Sequence, residues 1–166
     1  MLRIIVLLSL ALAISACGLQ PMYGGGRSAG VAQGLAAVEV APMPGRAGWL
    51  MRNALEDRLG VAGNAGARYR LDVRLDDSLE ALGVLNDDTI SRERRVLRAR
   101  YQLVDTASGE ILLDATSGAD AGIDVVSSEY ATISAEQTAL ENLSQELADR
   151  IVTQLSLTLR EASKSE

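Results

Sequence analysis

The chain has 166 residues, 16 basic against 22 acidic side chains, a net charge of −6, one Cys and no His. Such an acidic balance argues against general nucleic-acid binding, which needs cations to neutralise phosphates. Without His, the usual imidazole proton shuttles and His-based zinc sites are excluded. A lone Cys excludes internal disulfides. No Ser or carboxylate stands out as a hydrolytic centre either. With no Phe and aromatics at 3%, the core must be built from Leu, Val, Ile and Ala.

Residues 1–16 open with Arg3, run apolar from Ile4 to Ile14 and end in Ser15-Ala16. A basic start, a short apolar stretch and small residues at a cleavage point describe a secretion signal. The apolar run is too short for a spanning helix, which takes about 20 residues. Ile14-Ser15-Ala16-Cys17 resembles the bacterial lipobox, which implies cleavage before Cys17 and acylation of Cys17 at its sulfur and its freed amine. Burial of acyl chains contributes about 0.8 kcal/mol per CH₂, so more than one chain gives a lasting anchor. Gly18, where an Asp would retain such a protein at the inner membrane, directs the expectation to the outer membrane, on its periplasmic side.

Residues 17–34 are rich in Gly and read as a lipidated flexible tether. The run Gly24-Gly25-Gly26 lacks the preceding strand and following Lys-Ser/Thr of a phosphate loop. A globular domain is expected over residues 35–160, and residues 161–166 form a polar, frayed tail.

Within the domain, Leu35 to Val40 is a short β-type run stopped by Pro42 and Pro44. Met51, Leu55 and Leu59 recur at helical spacing between Ala47 and Leu59, with Gly60 as the stop. Tyr69, Leu71, Val73 and Leu75 alternate with Arg70, Asp72, Arg74 and Asp76, the pattern of a half-buried strand. The stretch from Leu79 to Asp88 is ambiguous. Thr89 to Val104 alternates again, with Leu97, Ala99, Tyr101 and Leu103 on one face. A hairpin turn over Asp105 to Gly109 leads into a strand from Glu110 to Thr116.

Ser117 to Ser128 is punctuated by Gly and Ser and leaves room for a short edge segment around Ile123 to Val126. A long helix begins between Ser128 and Ser134 and runs to about Arg160. Its apolar stripe is Ile133, Leu140, Leu143, Leu147, Ile151 and Leu155. The order β-α-β-β-β-α gives an α+β fold. It is a two-layer sandwich, with a small antiparallel or mixed sheet of about four strands covered on one face by two helices.

The mature start Cys17-Gly18-Leu19-Gln20-Pro21-Met22-Tyr23-Gly24 resembles the opening of the LptE family of lipopolysaccharide-assembly lipoproteins, with Leu19 where Phe is commoner. The likeness continues through Leu50, Leu55 and Leu59, Tyr69-Arg70-Leu71-Asp72-Val73, Arg100 to Asp105 with Ser108-Gly109-Glu110, and Glu129-Tyr130-Ala131-Thr132. The resemblance implies an outer-membrane lipoprotein seated inside the β-barrel LptD. There it acts as plug and assembly partner and helps deliver lipopolysaccharide to the outer leaflet. It also implies no catalytic residue, no metal and no cofactor beyond the lipid on Cys17. The alternative is a periplasm-facing envelope lipoprotein with a scaffold or chaperone-like role and no barrel partner.

The candidate contacts are Arg92, Arg94, Arg98 and Arg100. In a strand they share the face opposite Leu97, Ala99 and Tyr101, in a row about 26 Å long. Guanidinium forks suit phosphate and carboxylate, so the row fits an anionic glycolipid or an acidic barrel wall. Against that stands an ordinary ladder of cross-strand ion pairs to Asp72, Asp76, Glu110 and Asp114. Trp49 reads as a packing residue, with partner contact as the other possibility. Asp76-Asp77 with Asp87-Asp88 reads as solvated charge rather than a calcium loop, since the EF-hand spacing is missing.

Overall fold

The computed structural model describes residues 27–60, 66–82 and 92–165. The signal, Cys17, the opening of the family motif, residues 17–26 of the tether, Asp87-Asp88 and the strand start at Thr89 lie outside the described residues.

The elements run α1 (Arg27–Ala36), β1 (Val38–Val40), α2 (Gly45–Leu59), β2 (Tyr69–Ala81), β3 (Arg92–Asp105), β4 (Ile111–Asp124) and α3 (Glu129–Ser165). The strands form one four-stranded sheet in the order β1-β2-β3-β4. β1 and β2 are parallel because α2 carries the chain back between them. The pairs β2–β3 and β3–β4 are antiparallel. This is the expected α+β sandwich with a mixed sheet.

Alternation decides which face is buried. Tyr69, Leu71 and Val73 on β2, with Leu97, Ala99, Tyr101 and Leu103 on β3, are buried under the helices. From α2 come Met51, Leu55 and Leu59, and from α3 Leu140, Leu143, Leu147, Ile151 and Leu155, all at 3% exposure or less. These residues form one continuous core. The even-numbered residues of β2 and β3 point to the other face, which none of the described helices covers.

Local signals place the ends of the elements. Gly60 caps α2 at φ 66°, ψ 35°, the left-handed region that glycine enters without steric cost. In the β3–β4 turn, Asp105 Oδ1 accepts from the amides of Ala107 at 2.8 Å and Ser108 at 3.1 Å. α3 starts at the early end of its expected range, where Ser128 Oγ accepts from Ala131 N at 3.4 Å.

Several boundaries differ from the sequence reading. Residues 27–34, taken there as tether, are helical, which adds a third helix. α1 packs on α3 through Gly34, where an added Cβ would lie 3.4 Å from Leu159 Cδ1. Leu35 and Ala36 belong to this helix, so β1 is only Val38–Val40. β4 runs unbroken to Asp124 through Ser117, Gly118 and Gly122, because β3 beside it supplies a continuous ladder. β2 reaches Ala81 for the same reason. α3 continues to Ser165 rather than stopping near Arg160. Trp49 is 62% exposed, and Ile133, placed in the apolar stripe, is 43% exposed. Both sit on helix sides that no described element packs against closely enough to bury them.

Candidate functional site

The uncovered face of the sheet is a grid of charges. β3 contributes Arg92, Arg94, Arg98 and Arg100, as its alternation requires. β2 places Asp76 directly opposite Arg98, Glu80 opposite Arg94, and Arg74 opposite Arg100. β4 places Asp124 opposite Arg92, Gly122 opposite Arg94, Gly118 opposite Arg98 and Thr116 opposite Arg100.

Three of the four arginines are paired. Arg92 Nε donates to Asp124 at 3.0 Å, and Arg94 Nη2 to Glu80 at 2.7 Å. Arg100 grips Asp114 with two donors, at 3.1 and 2.8 Å, and Gln102 donates to the same carboxylate at 2.8 Å. The hydrogen bonds from Arg100 and then Gln102 hold the Asp114 carboxyl at a pKa of about 2. Of the acids expected to form the ladder, Asp114 alone takes one of the row's arginines. Asp72 is held by Arg70 at 3.0 Å on its own strand. The other partners are Glu80 and Asp124.

Arg98 has no ion pair or hydrogen bond among the described residues, although Asp76 is its register neighbour. Its stem lies over Gly118, whose added Cβ would come within 3.3 Å of Arg98 Cγ. Arg74, which the sequence reading left out of the row, is exposed and likewise unpaired among the described residues. Arg74 faces Arg100 across the β2–β3 pair. Like charges directly opposite each other repel, and here the Arg100 charge is offset by the two-donor pair with Asp114. A shallow trough of about 540 Å³ lies there, lined by Ala41, Pro42, Asp72, Val73, Arg74, Arg100 and Gln102. Even spacing with Asp72 and Asp76 already put Arg74 on this face. What was missed was its proximity to Arg100, which depends on strand register.

One arginine of the run behaves differently. Arg95 has the parity of Leu97 and turns under the sheet, toward the helices. It grips Asp77 at 2.8 and 2.7 Å and donates to the Glu136 carbonyl of α3 at 3.0 Å. The side chains of Arg95 and Asp77 are 17% and 24% exposed. This half-buried pair ties the far end of the sheet to α3, a role the sequence reading did not assign to Arg95.

Among the described residues, no cluster of Asp, Glu or Cys could hold a metal ion, and no helix is long and apolar enough to cross a membrane.

A four-stranded sheet backed by helices on one face and open on the other is the architecture of a group of solved bacterial lipoproteins. A candidate lipoprotein of Caulobacter crescentus is 28% identical, with a TM-score of 0.69, the match covering 81% of this chain and 98% of that one. The rare lipoprotein B of Shewanella oneidensis shares the fold at 12% identity, with a TM-score of 0.58 over 78% of this chain and 97% of its own. A minor lipoprotein of Acinetobacter baumannii does so at 17% identity, with a TM-score of 0.56 over 72% of this chain and 88% of that one. No curated protein sequence matches. The family model LptE, described as lipopolysaccharide-assembly, matches residues 35–155. The chain belongs to the LptE family.

Proposed function

We propose that this protein is an outer-membrane lipoprotein, anchored through Cys17, that plugs and assists assembly of the LptD β-barrel and helps pass lipopolysaccharide to the outer leaflet. It works by binding and shape, without catalysis or cofactor. Family membership supports the lipopolysaccharide-assembly role. The observation that carries the contact surface is the uncovered sheet face, where Arg98 and Arg74 remain unpaired among the described residues beside the trough at Arg100.

In this reading Arg92 and Arg94 mainly order the sheet. Arg98, Arg74 and Arg100 meet phosphate or carboxylate, and the guanidinium fork of Arg100 is already aligned by Asp114. Among the described residues Arg98 and Arg74 have no partner to give up to an incoming anion, so binding costs little reorganisation there.

Two measurements test this. The native, lipidated protein should co-purify with a large β-barrel protein. Its recovery without one returns the reading to an envelope lipoprotein with no barrel partner. Binding of purified lipopolysaccharide should weaken about tenfold or more in Arg74→Ala plus Arg98→Ala, as expected for losing charge-assisted hydrogen bonds. Unchanged affinity would remove the arginine face from the mechanism.

A further inference from the structure

We propose that the free edge of β2 is a self-association surface, on which a second copy of this chain adds its own β2 antiparallel, with the two-fold axis at Asp77. The proposal does not rest on the barrel reading, although both use Arg74, and the Leu79→Pro variant tests it without touching that residue.

β1 pairs with β2 only from Tyr69 to Leu71, and the last bond between them runs from Ala41 N to the Leu71 carbonyl at 3.0 Å. Pro42 then turns the chain away. In β2 the odd residues direct their backbone groups toward this edge, as Tyr69 and Leu71 do to β1. From Val73 to Ala81 those N–H and C=O groups have no partner among the described residues. Strand edges of this length are templates for pairing.

Proteins often blunt such an edge with an inward-pointing charge, and Asp77 occupies that position. Its charge, however, is already answered by the two-donor grip of Arg95, so it does not repel a neighbour. Beside it Leu79 is 45% exposed, because α2 covers only the near half of β2.

Antiparallel self-pairing about Asp77 brings complementary groups together. Position i then faces position 154 − i of the other copy, so Arg74 faces Glu80 and Leu75 faces Leu79, each twice by symmetry. Arg74, unpaired among the described residues, thereby meets the Glu80 carboxylate that Arg94 of that copy already holds, so two cations share it. The exposed Leu79 is covered. The interface is one strand pair, smaller than the roughly 1,200 Å² that stable complexes bury, so the dimer is reversible and concentration-dependent.

Disulfide trapping tests it on the full chain in a Cys17→Ser background. Asp76→Cys and Ser78→Cys chains are mixed and oxidised. These two positions become a non-hydrogen-bonded pair about 4.5 Å apart, within disulfide reach. A link between positions 76 and 78 of two chains should form about tenfold faster, or more, than a link between Ser78→Cys and Asp57→Cys chains, because pairing raises local concentration. Adding Leu79→Pro to both chains removes an outward N–H while sparing the β3 ladder, and should return the rate to that of the control. Arg74→Glu, which breaks no ion pair among the described residues, should slow the link as well and serves if the proline variant fails to fold. A 76–78 rate equal to the control, or one unmoved by both Leu79→Pro and Arg74→Glu, overturns the proposal.

Discussion

Asp114 is the residue on the open face whose protonation is most strongly biased. Arg100 and Gln102 hold its pKa at about 2 in the folded protein, against about 3.9 for an unperturbed Asp. A carboxylate depressed on folding contributes stability that is fully present above the unfolded pKa. That contribution is lost as pH falls from about 4 toward 2. Asp114→Asn should therefore flatten the acid limb of the stability curve in that window and leave its shape at neutral pH unchanged. Urea titrations at stepped pH would show this.

Single residues were legible from the sequence when parity alone decided their place. The even-numbered arginines and the buried Leu97, Ala99 and Tyr101 are examples. Which acid takes which arginine was not legible, because a cross-strand partner depends on register and the register depends on the turn. Asp76 lies opposite Arg98 without bonding to it, while Glu80 and Asp124, not singled out beforehand, each take an arginine.

Among the elements, α2 depends on a close approach at its first turn. Gly48 is buried there, and an added Cβ would fall 2.8 Å from the backbone carbon and oxygen of Met43. The Pro42–Pro44 segment cannot move easily, so Gly48→Ala should destabilise by roughly 1–3 kcal/mol through overpacking. Gly30→Ala in α1, where the added atom meets nothing within 4 Å, should instead stabilise by up to about 1 kcal/mol from helix propensity. Denaturant midpoints of the two variants should move in opposite directions.

Elements with long amphipathic patterns, such as α2, β3 and α3, could be read from the chain. α1 could not, since Gly30 and Gly34 lower its propensity and its packing partner, Leu159, is remote in sequence. The far half of β4 was hidden for a related reason. Gly118 and Gly122 look like breaks, yet the stem of Arg98 lies over Gly118 and the β3 ladder holds the strand straight. The early end of β1 was misjudged because Leu35 and Ala36 suit a helix as well as a strand.

At the scale of the whole molecule, α3 contributes to nearly every interface. It packs on α1, α2, β3 and β4. Arg58 of α2 grips Asp149 with two donors, one of them Nη2 at 3.0 Å, and Arg46 reaches Glu141 at 3.1 Å. With 37 residues it is about 55 Å long, more than β2, whose 13 residues span about 40 Å. A chain ending at Ser128 keeps all four strands but leaves Leu71, Leu97 and Leu103 without their cover. Such a truncation should lack the protected β3 amides of the intact protein in hydrogen exchange, and should bind hydrophobic dyes. Native-like protection in it would show that the sheet stands without α3.

The position of α3 after all four strands also sets a timetable. Synthesis runs from the first residue to the last, so the strands emerge before the surface that can seal them. Closure of the core is deferred until α3, which follows all four strands, is available, and the finished shape then arrives in one late step.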